Sequence, residues 1–210
     1  MGFQRSKGIA YWIHKLHIHL GLFLLLFIWL FSISGLLLNH GKWETSNFWK
    51  KREESKTVVP VRILEERESA AIVKSVISQL NISGEISNVK MWPDSLHFRL
   101  AAPGHVRNLQ VDFGAGLCTQ TELKFNWSGK IQTLHTFNGA NKTDADLQPN
   151  WLVTRIWRTS MDGIAIGLIL LCVSSWIMWY RIKEYYPWGW IILTGGIGAA
   201  IYFVFLIGMQ

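Results

Sequence analysis

Three long runs without a charged residue concentrate the apolar side chains: Leu20 to Leu38, Ile164 to Tyr180 and Trp188 to Met209. A helix rises about 1.5 Å per residue, so the first run spans roughly 28 Å, near the hydrocarbon thickness of a bilayer. The second run stops at Arg181 and Lys183, and Tyr185-Tyr186-Pro187 predicts a tight link to the third. The last two runs therefore read as a hairpin of antiparallel helices. Between the first and second runs the pattern changes. Ala71, Ile72, Val76, Ile77 and Leu80 recur at helical spacing, and the stretch from Glu68 to Leu80 opens on acids, as a helix N-terminus favours. Leu96, Phe98 and Leu100 then alternate with His97 and Arg99, and Leu109, Val111 and Phe113 with Gln110 and Asp112. Period two predicts half-buried strands. Trp92-Pro93-Asp94-Ser95, Ala102-Pro103-Gly104 and Gly114-Ala115-Gly116 predict the turns. Asn39 to Val58 reads as a polar juxtamembrane linker.

The fold class expected is an α-helical membrane protein. Three transmembrane helices carry a small α+β extracytoplasmic domain, one helix followed by three or four antiparallel strands, between helices 1 and 2. A unit that small leans on the membrane helices or on a partner. The segments are a tail 1–19, a helix 20–38, the external domain with its linkers 39–159, a helix 160–181, a turn 182–187 and a helix 188–209. The first run is too long, and too poor in small residues after it, for a cleaved signal peptide, so it is expected to stay as an anchor.

Charge sets the orientation. Arg5, Lys7 and Lys15 precede the first run without an acid, and the hairpin has Arg181 and Lys183 against Glu184. Both segments are expected in the cytoplasm of a bacterial inner membrane, with the domain and the C-terminus outside. The net charge of +7 has no basic block behind it, so nucleic acid is not an expected partner. Of the 12 tryptophans, Trp12, Trp43, Trp49, Trp157, Trp179, Trp188 and Trp190 fall near the ends of the runs, where amphipathic rings anchor at headgroups. Cys118 and Cys172 lie in different compartments and cannot pair. Asp162 is expected to begin the second helix and complement its dipole.

Short motifs give the chain a resemblance. The first helix reads Ile13-His14-Lys15-Leu16-His17-Ile18-His19-Leu20-Gly21 and closes Ser32-Ile33-Ser34-Gly35-Leu36-Leu37-Leu38. Leu134-His135-Thr136-Phe137-Asn138-Gly139 follows the domain, and Trp176-Ile177-Met178-Trp179-Tyr180-Arg181 ends the second helix. Together with a helix-plus-sheet domain between membrane helices, these resemble the PepSY-associated transmembrane family. The resemblance implies a PepSY-like domain and a link to iron acquisition, since some family members are haem-containing siderophore reductases.

Histidine placement is the candidate chemistry, because no hydrolase, phosphate-loop, zinc or covalent-haem motif is present. His14 and His17 share a face, and Gly21 lies one turn beyond His17. An imidazole beside a glycine offers an iron ligand and room for a flat porphyrin ring, with Gly35 as a second small spot. The competing reading is that such histidines snorkel and such glycines pack helices. His40 and His135 are both external and could hold one haem b iron from two sides, with Arg155 and Arg158 pairing the propionates. The competing reading is a hydrogen-bonded interface histidine. The second and third runs hold no histidine, so at most one well-formed site per chain is expected, unless the protein dimerises. His97 and His105 are expected at the surface.

Two functions remain. One is an inner-membrane haem b electron-transfer protein that reduces a ferric siderophore or another periplasmic acceptor, alone, as a homodimer or in a larger complex. The other is a non-catalytic membrane subunit whose domain binds or regulates a partner.

Overall fold

The computed structural model describes residues 8–63, 68–138, 151–182, 184 and 186–208. Arg5, Lys7, Gly139, Lys183, Tyr185 and Met209, named above, lie outside them. Three helices are long and apolar enough to cross a membrane: α1 (Ile9–Asn39), α4 (Leu152–Tyr180) and α5 (Tyr186–Gly208). A five-stranded antiparallel sheet lies between α1 and α4 in the chain. The protein is thus multi-pass, with a small sheet domain inserted after its first helix.

Both α1 and α4 begin well before the apolar runs that announce them. Hydrophobicity marks what a bilayer would cover, not where a helix starts, and no glycine–proline break stops either helix at that edge. Asp162 consequently sits inside α4, past its first turns, and does not cap it. That corrects the expected role of this carboxylate.

By compactness the chain divides into two units, Phe27–Asp162 and a second made of Met1–Leu26 with Gly163–Gln210. In the second, α1 and α4 meet through glycines. A Cβ on Gly167 would come 3.0 Å from Leu24 Cδ1, and one on Gly21 would come 3.6 Å from Leu171 Cδ1. Leu24 is buried there. The ring of Trp179 lies against the backbone of Gly189 and stacks on Tyr186, which ties the start of α5 to the end of α4.

In the first unit the strands are β1 (Glu53–Pro60), β2 (Glu85–Met91), β3 (Ser95–Ala102), β4 (His105–Asp112) and β5 (Leu117–Lys124), in the order β1-β5-β4-β3-β2. Helix α2 (Ser69–Leu80) lays Ile72, Val73 and Val76 on Leu96, Phe98, Leu100, Leu109, Val111 and Cys118, all buried. This is the expected amphipathic pairing. Asn81, in the left-handed region at φ 49°, ends α2.

Two elements depart from the expected layout. Glu53–Pro60, read as linker, is an edge strand paired along its length with β5. Helix α3 (Trp127–Thr136) follows the sheet, opened by the Asn126 side chain, which accepts from Gly129 N–H at 2.9 Å. Its buried face is polar: Ser128 donates to the Thr45 carbonyl, and Gln132 donates to the Ser46 carbonyl at 3.0 Å. Gly129 sits against Phe48 and Phe125, and Thr133 Oγ1 accepts from Gly104 N–H in the β3–β4 turn. These contacts fix α3, and with it His135.

Candidate functional site

His135 is the last basic residue of α3, half-buried and held against α1. Its Nδ1 lies 2.7 Å from Ser34 Oγ. Ser34 is fully buried, and its hydroxyl also lies 2.6 Å from the Leu30 carbonyl. A carbonyl only accepts, so the one hydroxyl proton goes to Leu30. Oγ then accepts from Nδ1–H, which leaves the lone pair of a neutral ring on Nε2. Phe31 meets the imidazole edge-on at 5.1 Å between centroids. Trp157 packs on Phe31 and donates to the Phe137 carbonyl at 3.0 Å, closing the last turn of α3.

The other unit repeats the device. His17 Nδ1 lies 2.9 Å from Ser174 Oγ, and that hydroxyl donates to the Leu171 carbonyl at 2.9 Å. By the same proton count His17 carries its hydrogen on Nδ1 and a lone pair on Nε2. Donation of Nδ1–H to a fixed acceptor is the arrangement that orients metal-ligating histidines and strengthens Nε2 as a donor.

His40 and His135 are held by different partners. His40 is exposed, donates Nδ1–H to its own Leu36 carbonyl at 3.0 Å and stacks on Trp43. Ser34, the anchor of His135, lies about 9 Å below His40 along the helix and roughly 120° around it. His14 is exposed and has no hydrogen-bond partner among the described residues. It lines an apolar hollow of about 300 Å³ with Ile13, Ile177, Met178 and Arg181. Arg155 and Arg158 are exposed on α4, with no carboxylate partner among the described residues.

The glycines do not leave room for a flat ring. The space beside Gly21 belongs to Leu171, and that beside Gly35 to the His135 ring itself, 3.5 Å from where a Cβ would stand. They seat neighbouring side chains, as the packing reading has it. For haem b, then, the donor chemistry of His135 and His17 fits an axial ligand. Each offers one imidazole, and no group of three metal-ligating side chains occurs among the described residues.

The sequence reading missed Ser34 and Ser174 as partners. Each meets its histidine far along the chain, 101 and 157 positions away, so no local spacing marks them.

Elsewhere in the domain, burial alone would raise the Glu122 carboxyl. Arg107, 2.7 Å away, with Lys124 brings it below its ordinary value. His105 is shifted down by burial and by Arg107, Lys124 and Lys130, against an opposing pull from Glu122. Burial pushes the Cys118 thiol up to about 11. No family model, curated protein or solved structure matches the chain.

Proposed function

We propose that this chain is an inner-membrane electron carrier of the PepSY-associated type, in which His135 would hold haem b on the external side. A ferric siderophore or another periplasmic acceptor would take the electron. The observation that supports this reading most is the Ser34–His135 hydrogen bond. It fixes the tautomer that leaves Nε2 free, on a half-buried ring. When bound, the haem supplies a one-electron iron couple.

The chain's own residues do the positioning. Ser34 holds the His135 ring and its proton, and Phe31 blocks rotation of the ring from the side. Arg155 and Arg158, without a carboxylate partner among the described residues, offer cations suited to propionates. His17, held by Ser174, is the inner candidate. With one imidazole at each place, a second histidine to hold the same haem would come from another copy, which makes a homodimer part of the reading.

The test is the visible spectrum of the protein purified in detergent from haem-supplied cells, oxidised and then dithionite-reduced. A Soret band with sharp reduced α and β bands is expected, and His135→Ala should bleach it at unchanged membrane abundance. Colourless wild-type protein overturns the reading. The second reading, a partner-binding subunit, then stands. It is favoured by the small-residue face of α5, where Gly195, Gly196 and Gly198 have nothing beside them among the described residues.

A further inference from the structure

One face of the sheet is covered by α2. The opposite face holds an open hollow of about 600 Å³. The strand register arranges its side chains in two neighbouring rungs. One rung runs Lys56, Thr121, Asn108, Arg99 and Ser87 across the five strands. The next runs Val58, Thr119, Gln110, His97 and Lys90. Strands lie about 4.8 Å apart, so Lys56 and Arg99 stand roughly 14 Å from each other at the backbone. Hydroxyls and amides fill the space between them.

Three things about this face point to a ligand. Lys56, Lys90 and Arg99 have no carboxylate partner among the described residues, whose ion pairs involve Lys51, Arg52, Arg107 and Lys124 instead. The carboxylates on the same side of the sheet, Glu54, Glu85 and Asp112, stand on the rungs that flank these two and form no ion pair with Lys56, Lys90 or Arg99 among the described residues. Finally, Arg99 Nε is buried and has no hydrogen-bond partner among the described residues. A buried donor left unmade is costly, and a native fold keeps one where something else satisfies it.

We infer that this face is a binding site for a small soluble polyanion whose carboxylate or phosphate groups are spaced to reach Arg99 and Lys90 at one end and Lys56 at the other. A planar guanidinium suits a bidentate oxyanion, the amides of Asn108 and Gln110 donate to oxygens between the charged ends, and the threonine hydroxyls adapt to either role. The site uses neither His135 nor His17 and does not rest on the haem reading.

The experiment is isothermal titration of the full chain in a maltoside detergent at low salt, with citrate and with pyrophosphate as probes. One-to-one binding of at least one probe is expected, weakened tenfold or more by Arg99→Gln and several-fold by Lys56→Gln. Lys51→Gln, an exposed cation paired with Glu44 away from the hollow, should leave it unchanged. If Arg99→Gln fails to fold, Lys56→Gln and Lys90→Gln, both exposed, carry the test. Absence of heat from both probes overturns the inference. So does equal weakening by Lys51→Gln, which would mean bulk charge. A third overturning result is phosphatidylglycerol binding through Arg99 while neither soluble probe binds, because the oxyanion would then be a lipid headgroup.

Discussion

Replacing Ser34 by alanine isolates the contact on which the histidine site depends. In the native chain Ser34 Oγ sits 2.7 Å from His135 Nδ1 and 2.6 Å from the Leu30 carbonyl, in a fully buried position. Alanine removes the acceptor and leaves the Nδ1–H of a half-buried ring unpaired, at a cost of about 1–3 kcal/mol. The better helix propensity of alanine returns roughly 0.5 kcal/mol to α1. The net loss should be about 1–2 kcal/mol, which is close to a tenfold change in a two-state preference. The ring can recover part of it by moving its proton to Nε2, so the variant should shift tautomer. Long-range proton–nitrogen spectra of histidine-labelled protein in detergent report which ring nitrogen is protonated. Wild-type His135 is expected as Nδ1–H, and Ser34→Ala as a mixture or as Nε2–H. Wild-type His135 found as Nε2–H, with the serine donating to it, would refute the proton count and remove the free Nε2. An unchanged tautomer in the variant would mean that some group other than Ser34 holds the ring.

Further outcomes follow from other contacts. Gly129→Ala would place a Cβ 2.7 Å from Phe125 Cβ and from Phe48 Cδ2. Overpacking of about 1–3 kcal/mol outweighs a helix-propensity gain of at most about 1 kcal/mol. The thermal midpoint of the domain should therefore drop, and an unchanged midpoint would show that α3 can shift freely. His105, whose folded value is shifted below 6.5 by burial first and Arg107 next, favours its neutral form in the fold. Its contribution is present above the unfolded value and fades as pH falls through about 6.5 towards the folded value. Denaturant titrations at several pH values should show that loss, and His105→Gln should flatten it. Cys118, buried and shifted up to about 11, should resist maleimide in a Cys172→Ser background until denaturant opens the domain. Rapid labelling of folded protein would contradict its place in the core.

The parts of the fold that announced themselves were those where solvent sorted the residues. Three charge-free runs became helices long and apolar enough to cross a membrane, and the alternation through Leu96–Leu100 and Leu109–Val111 became strands with one face buried under α2. β1 escaped notice because an edge strand with nearly every side chain exposed has no alternation to show. α3 escaped because its buried face is Ser128, Gly129 and Gln132, polar or small residues satisfied by Thr45 and Ser46 and packed on Phe48, so no apolar stripe marks it. The histidines stood out by residue type. Their partners did not, since a serine that completes a hydrogen bond 101 positions away leaves no local pattern.

The edge strand also orders the folding of the domain. β2 to β5 form a meander in which each strand pairs with its neighbour in sequence, so they can zip together through short turns. β1 pairs with β5, Glu53 opposite Lys124, and waits for the whole meander to exist. Closing that long loop carries an entropic cost that grows only with the logarithm of its length, but it delays the strand in time. β1 should therefore dock last. Until it does, the edge of β5 stands open like that of β2 at the other side of the sheet, and it is a place where a second chain could pair in error during biogenesis.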